Sequence, residues 1–83
     1  MYLFYLKITT PQGLLYGGNI KSLTSYNDSG KFDILKDHTN FIATIKNQLE
    51  ILTDTDEKKV FPVDKGVIRV VNNIVDVYLG IGE

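Results

Sequence analysis

Apolar residues recur at every second position in short segments of this chain, and this period of two constrains the fold more than any other feature. The segments are rich in β-branched and aromatic residues, which favour extended strands. No capped amphipathic stretch of about a dozen residues, such as a helix would need, interrupts them. The sequence therefore predicts an all-β fold, a small antiparallel β-sandwich or flattened barrel of about 8–10 short strands. The predicted strands cover residues 2–10, 14–16, 20–26, 31–35, 41–46, 48–53, 59–63, 67–71 and 74–79.

Turn-forming residues separate the predicted strands. Gly, Asn, Asp and Pro tolerate or impose the backbone angles of tight turns, and their side chains cap them. Neighbouring strands are therefore expected to be joined mostly by hairpins. The clusters that carry this signal are Pro11-Gln12-Gly13, Gly17-Gly18-Asn19, Asn27-Asp28-Ser29-Gly30, Asp54-Thr55-Asp56 and Asn72-Asn73.

The Asn72-Asn73 pair predicts a hairpin whose register can be read to the residue. Asparagine tolerates the left-handed backbone of a two-residue type I′ turn. Such a turn sets Arg69 opposite Asp76 on the outer face, where the two form an exposed ion pair. The alternate positions then point inward, and burial is expected for Ile68, Val70, Val75 and Val77.

Two local features break the regular alternation. Ile20 and Leu23 are three residues apart within one predicted strand, which indicates a β-bulge between them. Pro62 lacks the N–H that a central strand donates, so the segment 59–63 is predicted to be an edge strand or to bulge at the proline. The sequence therefore predicts irregular pairing at these two points.

Length and charge exclude several function classes. The 83 residues form one small domain, 1–83, with a thin core, because a chain of this size buries only about 60% of the surface that its unfolded form exposes. The net charge is -1 and no basic stripe could follow a phosphate backbone, so nucleic acid is not expected as a partner. Without cysteine there are no disulfides and no thiolate metal ligands. No apolar run is long enough for a signal-peptide core or a membrane span, so a soluble chain without direct membrane insertion is expected.

The single histidine, His38, is the first candidate for catalysis. Asp37 and several serines accompany it, but no nucleophile-elbow motif is present, and scattered polar residues do not define a triad. Ser29-Gly30-Lys31 lacks the first glycine and the following hydroxyl residue of a phosphate loop. Asp54-Thr55-Asp56-Glu57 lacks the turn glycine and distal glutamate of a calcium loop, so a solvated hairpin tip is expected at 54–58. The sequence predicts no catalytic residue, no cofactor and no metal, which leaves the exposed loops as the functional surface.

Three consecutive stretches of the chain resemble one known family. They are LKITTPQGLLYGGNIKSLT (6–24), SGKFDILKDHTNFIATIKNQLEI (29–51) and FPVDKGVIRVVNNIVDVYL (61–79). In order and spacing they are similar to the N-terminal β-sandwich domain of the ε subunit of rotary ATP synthases. That family carries T-P-x-G after its first strand, G-x-[FL]-G-[IV]-L-P-x-H-[AT]-P-[LF] in its middle and F-x-V-x-G-G before a hairpin. The matching positions are Thr10, Pro11, Gly13, Gly30, Phe32, Ile34, Leu35, His38, Thr39, Phe41, Phe61, Val63 and Gly66.

The chain also departs from the family pattern. Asp33 stands where the family usually has glycine, and Lys65 stands where it has the first glycine of a pair. Lys36 and Asn40 replace prolines, so two φ angles of the loop they bound are no longer fixed. Many family members continue into a C-terminal helical hairpin that binds nucleotide and inhibits the enzyme. This chain ends at Glu83, so no helical hairpin and no inhibitory arm are expected.

The resemblance implies a mechanical function. In the family, the domain belongs to the central stalk of the rotor, packs one side of its sandwich on the γ subunit and presents its lower loops to the membrane c-ring. It couples ion-driven rotation of the c-ring to γ and, indirectly, to the α/β catalytic head, and it is not itself an enzyme. The implied location is the cytoplasmic side of a bacterial plasma membrane, where the complex holds the domain peripherally.

The resemblance also assigns particular residues to these contacts. Near the γ subunit it places His38, Thr39, Phe41 and Ala43. For Phe41 and Ala43 ordinary core packing is an equal alternative, because alternation puts both on one face. For His38 the alternative is a buried loop residue whose imidazole is hydrogen-bonded to a backbone carbonyl. The loop expected to face the c-ring consists of Asn27, Asp28, Ser29, Gly30 and Lys31.

Two other functions stay open on the sequence. A free-standing β-sandwich module that binds proteins outside the synthase would show the same strands but form no stable complex with a γ subunit. A small hydrolase that uses His38 would lose all activity on His38→Ala.

Overall fold

The computed structural model describes residues 3–34 and 40–80, and all regular structure within them is β. This confirms the all-β fold expected from the period-two pattern. No helix among these residues is long and apolar enough to cross a membrane. The six strands are β1 (Phe4–Thr10), β2 (Gly13–Asn27), β3 (Gly30–Ile34), β4 (Phe41–Thr53), β5 (Lys58–Val71) and β6 (Ile74–Leu79).

The strand count is lower than the 8–10 predicted, because three strands are long and bent. Each of β2, β4 and β5 joins two predicted segments into one: 14–16 with 20–26, 41–46 with 48–53, and 59–63 with 67–71. The register of strand pairing shifts at the bends. In β2 the shift lies between Ile20 and Ser22, and in β4 it lies between Ile45 and Asn47, opposite the bend of β5. A bulge increases the local twist and redirects a strand without ending it. The nine predicted strands are therefore halves or wholes of six continuous ones.

The turn predicted at Gly17-Gly18-Asn19 is wrong, because these residues lie inside β2 and pair with β1. Gly17 stands opposite Lys7 on the outer surface. The hydroxyl oxygen of Tyr5 is 3.1 Å from the place where a Cβ on Gly17 would be. The missing side chain makes room for the tyrosine, so this glycine serves packing rather than a change of direction.

The bends divide one closed sheet into two packed layers. Hydrogen-bonded neighbours run in the order β1-β6-β5-β4-β2-β3, and β1 also pairs with β2, which closes a ring of five strands with β3 attached to β2. The first layer, sheet I, has the order β2 (13–20), β1, β6, β5 (66–71) and β4 (41–45). The second layer, sheet II, has the order β3, β2 (20–27), β4 (46–53) and β5 (58–63). This is the flattened barrel, or sandwich, that the sequence predicts.

One pairing among the described strands is parallel. β1 and β6 run in the same direction, with Leu6 opposite Val75 and Ile8 opposite Val77. A closed ring in which all neighbours are antiparallel needs an even number of strands, whereas this ring has five. Closure therefore forces a parallel pair, and it falls between the two strands of the ring that are farthest apart in the chain.

The inward side chains of both sheets form one hydrophobic core, as the alternation of a strand dictates. Two buried hydroxyls are satisfied within it. Ser25 donates to the carbonyl oxygen of Gln48 at 2.8 Å, and the Thr53 hydroxyl accepts from the N–H of Glu57 at 3.0 Å. The core consists of Phe4, Leu6, Ile8, Ile20, Leu23, Ile34, Ile45, Leu49, Ile51, Val63, Ile68, Val70, Val75, Val77 and Leu79.

The hairpin predicted at Asn72-Asn73 is confirmed. Both asparagines have positive φ angles, 50° and 64°. Arg69 stands opposite Asp76, with 3.6 Å between Nη1 and Oδ2. The side chains expected inside are buried, namely Ile68, Val70, Val75 and Val77. Two turn residues thus determine which face every side chain of β5 (66–71) and β6 occupies.

The irregular points predicted in β2 and at Pro62 are also confirmed. The pairing of β2 with β4 slips between Ile20 and Ser22, which is where the bulge was expected. Pro62 stands opposite Gln48 in the half of β5 that pairs only with β4 among the described strands. Proline is tolerated there because a sheet edge has no second neighbour that needs its N–H.

Gly66, at the bend of β5, has no space for a side chain. A Cβ there would be 2.9 Å from Leu79 Cδ2, 3.0 Å from the carbonyl oxygen of Tyr78 and 3.2 Å from Ile45 Cγ1. We therefore expect Gly66→Ala to lower the free energy of unfolding by about 1–3 kcal/mol through overpacking. Urea unfolding followed by circular dichroism measures this change.

Gly18→Ala is the matched control, because a Cβ on Gly18 would meet no atom closer than 3.5 Å. We expect it to leave the free energy of unfolding unchanged, or to raise it by up to about 1 kcal/mol by restricting the unfolded chain. Equal stability of the two variants would contradict the close packing at the bend.

Candidate interaction surfaces

The described residues hold no cluster that suggests metal chemistry. No group of three or more His, Asp or Glu side chains that could hold a metal ion occurs within 3–34 and 40–80. His38 and Thr39 lie outside the described residues, so their predicted roles stay predictions. The candidate sites are therefore the outer faces of the two sheets and the turns that connect their strands.

The outer face of sheet I carries most of the exposed large hydrophobic side chains. Seven such side chains are exposed among the described residues, and five of them lie on this face. Apolar side chains gathered on one outer face are typical of a contact surface for another macromolecule. The five are Tyr5 on β1, Leu14 on β2, Ile42 on β4, and Ile74 and Tyr78 on β6.

The cross-strand register arranges this face in three rows. Side chains directly opposite each other on neighbouring strands lie within contact distance. One outer row runs Tyr5, Ile74 and Val71, and the other runs Leu14, Thr9, Tyr78, Val67 and Thr44. Between them the central row runs Lys7, Asp76, Arg69 and Ile42. The face thus has a charged centre with largely apolar rows on both sides.

The outer face of sheet II is polar by comparison. The Thr24 hydroxyl donates to Asp33 Oδ1 at 2.5 Å, and Lys58 Nζ is 2.9 Å from Glu50 Oε2. The hydrogen bond with Glu50 raises the pKa of the Lys58 ammonium above its ordinary value. These polar and charged groups pair with one another within the domain, so this face suits contact with water better than burial against a partner.

The turn between β2 and β3 forms a short tip that is held by its own hydrogen bond. β2 ends at Asn27 and β3 begins at Gly30, so Asp28 and Ser29 form the exposed end. Asn27 Oδ1 accepts from the Ser29 N–H at 2.8 Å, and Gly30 has a φ of 116°, which glycine adopts without strain. Lys46 of β4 reaches the tip, with 3.0 Å between Nζ and Asp28 Oδ1. The loop predicted to face the c-ring is therefore exposed from Asp28 to Lys31 and has a turn closed by its own hydrogen bond, and its role stays a prediction.

The turn between β4 and β5 is the solvated hairpin tip that the sequence predicts there. Asp56 has a φ of 65° and pairs with the ammonium of Lys21 on β2. Tyr16 lies nearby, and burial, together with the charges of Asp54 and Glu57, raises the pKa of its phenol above the ordinary value. The acidic side chains of this tip therefore interact with groups of the domain itself.

Phe41 and Ala43, assigned by resemblance to the γ contact, pack against the core from the inner side of β4. Both are partly buried there. The Phe41 ring meets the Phe32 ring edge-on, with 6.4 Å between the ring centroids. Core packing, the alternative that alternation left open, therefore describes their side chains. Their contact with a γ subunit stays a prediction, and their neighbour Ile42 is the exposed large hydrophobic side chain of this strand.

Sequence reasoning did not assign the outer face of sheet I. The sequence does contain a signal for this face, because several strands have apolar residues at outward as well as inward positions. Tyr5 in FYLKI, Ile42 in FIAT and Tyr78 in VDVYL are of this kind. A sheet with one wet face normally alternates apolar with polar residues. Apolar residues at outward positions therefore indicate a second face that is covered in use.

The structure is a small β-sandwich in which one outer face carries most of the exposed apolar side chains and the other is polar. These features are typical of an interaction domain, the class of protein that binds other macromolecules through its surface. The family described as ATP synthase, Delta/Epsilon chain, beta-sandwich domain has a sequence profile that matches residues 3–79. This match spans nearly the whole chain, and the protein belongs to that family.

Individual relatives agree with the family match. The ATP synthase epsilon chain of Clostridium botulinum (strain Eklund 17B / Type B) is 32% identical over 77 residues, which are 90% of this chain and 57% of the relative. The ATP synthase epsilon chain of Campylobacter jejuni subsp. doylei is 30% identical over 69 residues, which are 82% of this chain and 54% of the relative. This chain therefore spans a little over half the length of these two relatives.

Solved structures share the fold. A chain of the Euglena gracilis mitochondrial ATP synthase, in an assembly of OSCP, F1 and c-ring, is similar with a TM-score of 0.85 and 18% identity over 93% of this chain and 50% of that chain. A chain of the central stalk and c-ring of the Tetrahymena thermophila mitochondrial ATP synthase is similar with a TM-score of 0.76 and 18% identity over 90% of this chain and 61% of that chain. At this identity the likeness shows the fold alone.

Proposed function

We propose that this domain works in the central stalk of a rotary ATP synthase, where it couples ion-driven rotation of the c-ring to the γ subunit and so to the α/β catalytic head. The observation that carries the proposal is the family match over residues 3–79. The similar fold of a chain from a central stalk and c-ring assembly supports it. In this role the domain transmits torque and catalyses no reaction.

The connection between the two sheets suits a mechanical role. β2, β4 and β5 each pass from one sheet into the other without interruption. A force applied to the turns of sheet II therefore reaches sheet I through three covalent backbones as well as through the packed core. The sheets cannot slide past each other without breaking strand pairing at the bends.

The γ subunit, in this proposal, packs on the outer face of sheet I. Five exposed hydrophobic side chains lie there, and burying apolar surface stabilises a contact by about 25 cal/mol per Å² before the costs of association. The first half of β4, at the end of sheet I, borders this face. The γ contacts proposed from the resemblance lie on and just before that strand, and they are His38, Thr39, Phe41 and Ala43. Because the Phe41 and Ala43 side chains face inward and are only partly buried, we propose that they meet γ at the edge of sheet I rather than on its outer face.

The c-ring, in turn, contacts the tip between β2 and β3. This exposed tip ends the β2–β3 hairpin of sheet II, and none of its residues belongs to the three rows of the proposed γ face, so one domain is able to bind both partners. The proposed contact residues are Asn27, Asp28, Ser29, Gly30 and Lys31. Contact with the c-ring holds the domain peripherally on the cytoplasmic side of a bacterial plasma membrane.

The proposed function is tested by purification from native membranes. We expect a tagged copy of the chain, expressed in its own cells, to recover the α, β, γ and c subunits after detergent extraction, because γ and the c-ring bind it together. Mass spectrometry identifies the recovered subunits, and the tag alone is the control. If neither γ nor c co-purifies with the tagged chain, the proposal is rejected in favour of a free-standing binding module.

The assignment of the γ face is tested at its most exposed apolar residue. Ile42 is 68% exposed, and we expect Ile42→Ser to weaken binding to purified γ by about 1 kcal/mol or more, roughly fivefold, because the side chain is buried in the complex. Titration calorimetry measures the affinity, and the melting temperature should stay unchanged.

Val60→Ser is the matched control for this measurement. Val60 is 51% exposed on the outer face of sheet II, so its replacement should leave both the affinity for γ and the melting temperature unchanged. If Val60→Ser weakens binding and Ile42→Ser does not, γ is assigned to the wrong face.

The c-ring contact is tested by cross-linking from a single introduced thiol. The chain has no cysteine, so Ser29→Cys at the tip between β2 and β3 provides a unique attachment point for a photo-activated cross-linker. We expect it to form an adduct with subunit c in the assembled complex. Thr55→Cys, at the opposite end of sheet II, should form none, and equal labelling of c from both positions would contradict the assignment.

A further inference from the structure

The central row on the outer face of sheet I is charged, although largely apolar rows border it. Lys7 on β1, Asp76 on β6 and Arg69 on β5 stand side by side in this row. Two of these groups are positive and one is negative, so the row has an excess of one positive charge. The Arg69 side chain is 53% exposed, whereas that of Asp76 is only 20% exposed.

Asp76 does not fully satisfy its two basic neighbours. The 3.6 Å between Arg69 Nη1 and Asp76 Oδ2 exceeds the length of a good hydrogen bond. Lys7, on the other side, makes no ion pair with any residue of the ranges 3–34 and 40–80. The Arg69 guanidinium, which is half exposed and has one long contact with Asp76, therefore has N–H groups with which to bind a partner.

A partner that covers the apolar rows must also cover Arg69. Removing water from a cation without giving it a new acceptor is unfavourable and would offset the gain from the apolar contacts. The guanidinium presents its N–H groups in a planar fork that matches the two oxygens of a carboxylate. The partner that fits this face therefore brings an acidic side chain to the centre of an otherwise apolar contact.

We propose that Arg69 is a specificity-determining residue of this face and that it binds a carboxylate of the γ subunit. This inference rests on the proposed function, because it takes γ as the occupant of the face. The apolar rows supply most of the affinity. Arg69 selects the register of docking and disfavours apolar partners that lack an acid at this point.

The test compares the affinity of purified γ for the wild-type chain and for Arg69→Gln at low and at high salt. We expect Arg69→Gln to weaken binding at least about tenfold at low salt and to reduce the salt dependence, because a charge-assisted pair is lost. Lys65→Gln removes the same charge at the bend of β5, outside the three rows, and should leave the affinity unchanged. An Arg69→Gln variant with wild-type affinity would overturn the proposal.

A charge-swapped variant separates binding from stability. Arg69→Asp combined with Asp76→Arg keeps the cross-strand pair and the net charge but moves the cation from β5 to β6. We expect the melting temperature of the double variant to stay near that of the wild type, with γ binding still weakened at least about tenfold.

Wild-type affinity in the double variant would show that Arg69 only stabilises the hairpin, and would overturn the proposal. Binding that still depends on Ile42 would in that case leave the proposed function in place. A wild-type chain that does not bind γ at all would overturn the proposed function together with this inference.

Discussion

The pairing of β1 with both β2 and β6 is the constraint on which the rest of the structure depends. With these two pairings five strands form a closed ring, and without them sheet I would end in two open edges over a hydrophobic core. Closure satisfies the backbone N–H and C=O groups on both sides of β1. It also dictates the parallel pair, because five strands cannot alternate direction around a ring.

Closure also determines what the outer surfaces are able to do. The inner faces are filled by hydrophobic side chains, so a partner reaches only the outer faces and the turns. The two outer faces differ, since one gathers most of the exposed hydrophobic residues and the other pairs its charges internally. Unlike faces with continuous strands between them suit the proposed role, in which different partners bind at different places and force passes from one to the other.

Much of the fold could be predicted from the sequence, because it depends on neighbours in the chain. The hairpin at Asn72-Asn73 and the bulge after Ile20 were correctly placed by local backbone preference and local pattern. The number of strands was not predicted correctly, because a bend within one strand and a turn between two strands interrupt the alternation in the same way. Gly17-Gly18 shows the limit: glycine that makes room for Tyr5 has the same sequence signature as glycine in a turn.

The same division holds for the candidate site. By itself the sequence determined the exposed tip at 27–31, since Asn27 and Gly30 form a turn through atoms only a few residues apart. It also determined that no catalytic motif accompanies His38. Only the tertiary structure decided that Tyr5, Ile42 and Tyr78 share one surface with Arg69. These residues come from four strands. Antiparallel pairing of consecutive strands joins β4, β5 and β6, whereas Tyr5 on β1 reaches the surface only through the pairing of β1 with β6, which joins the two ends of the chain and closes the ring.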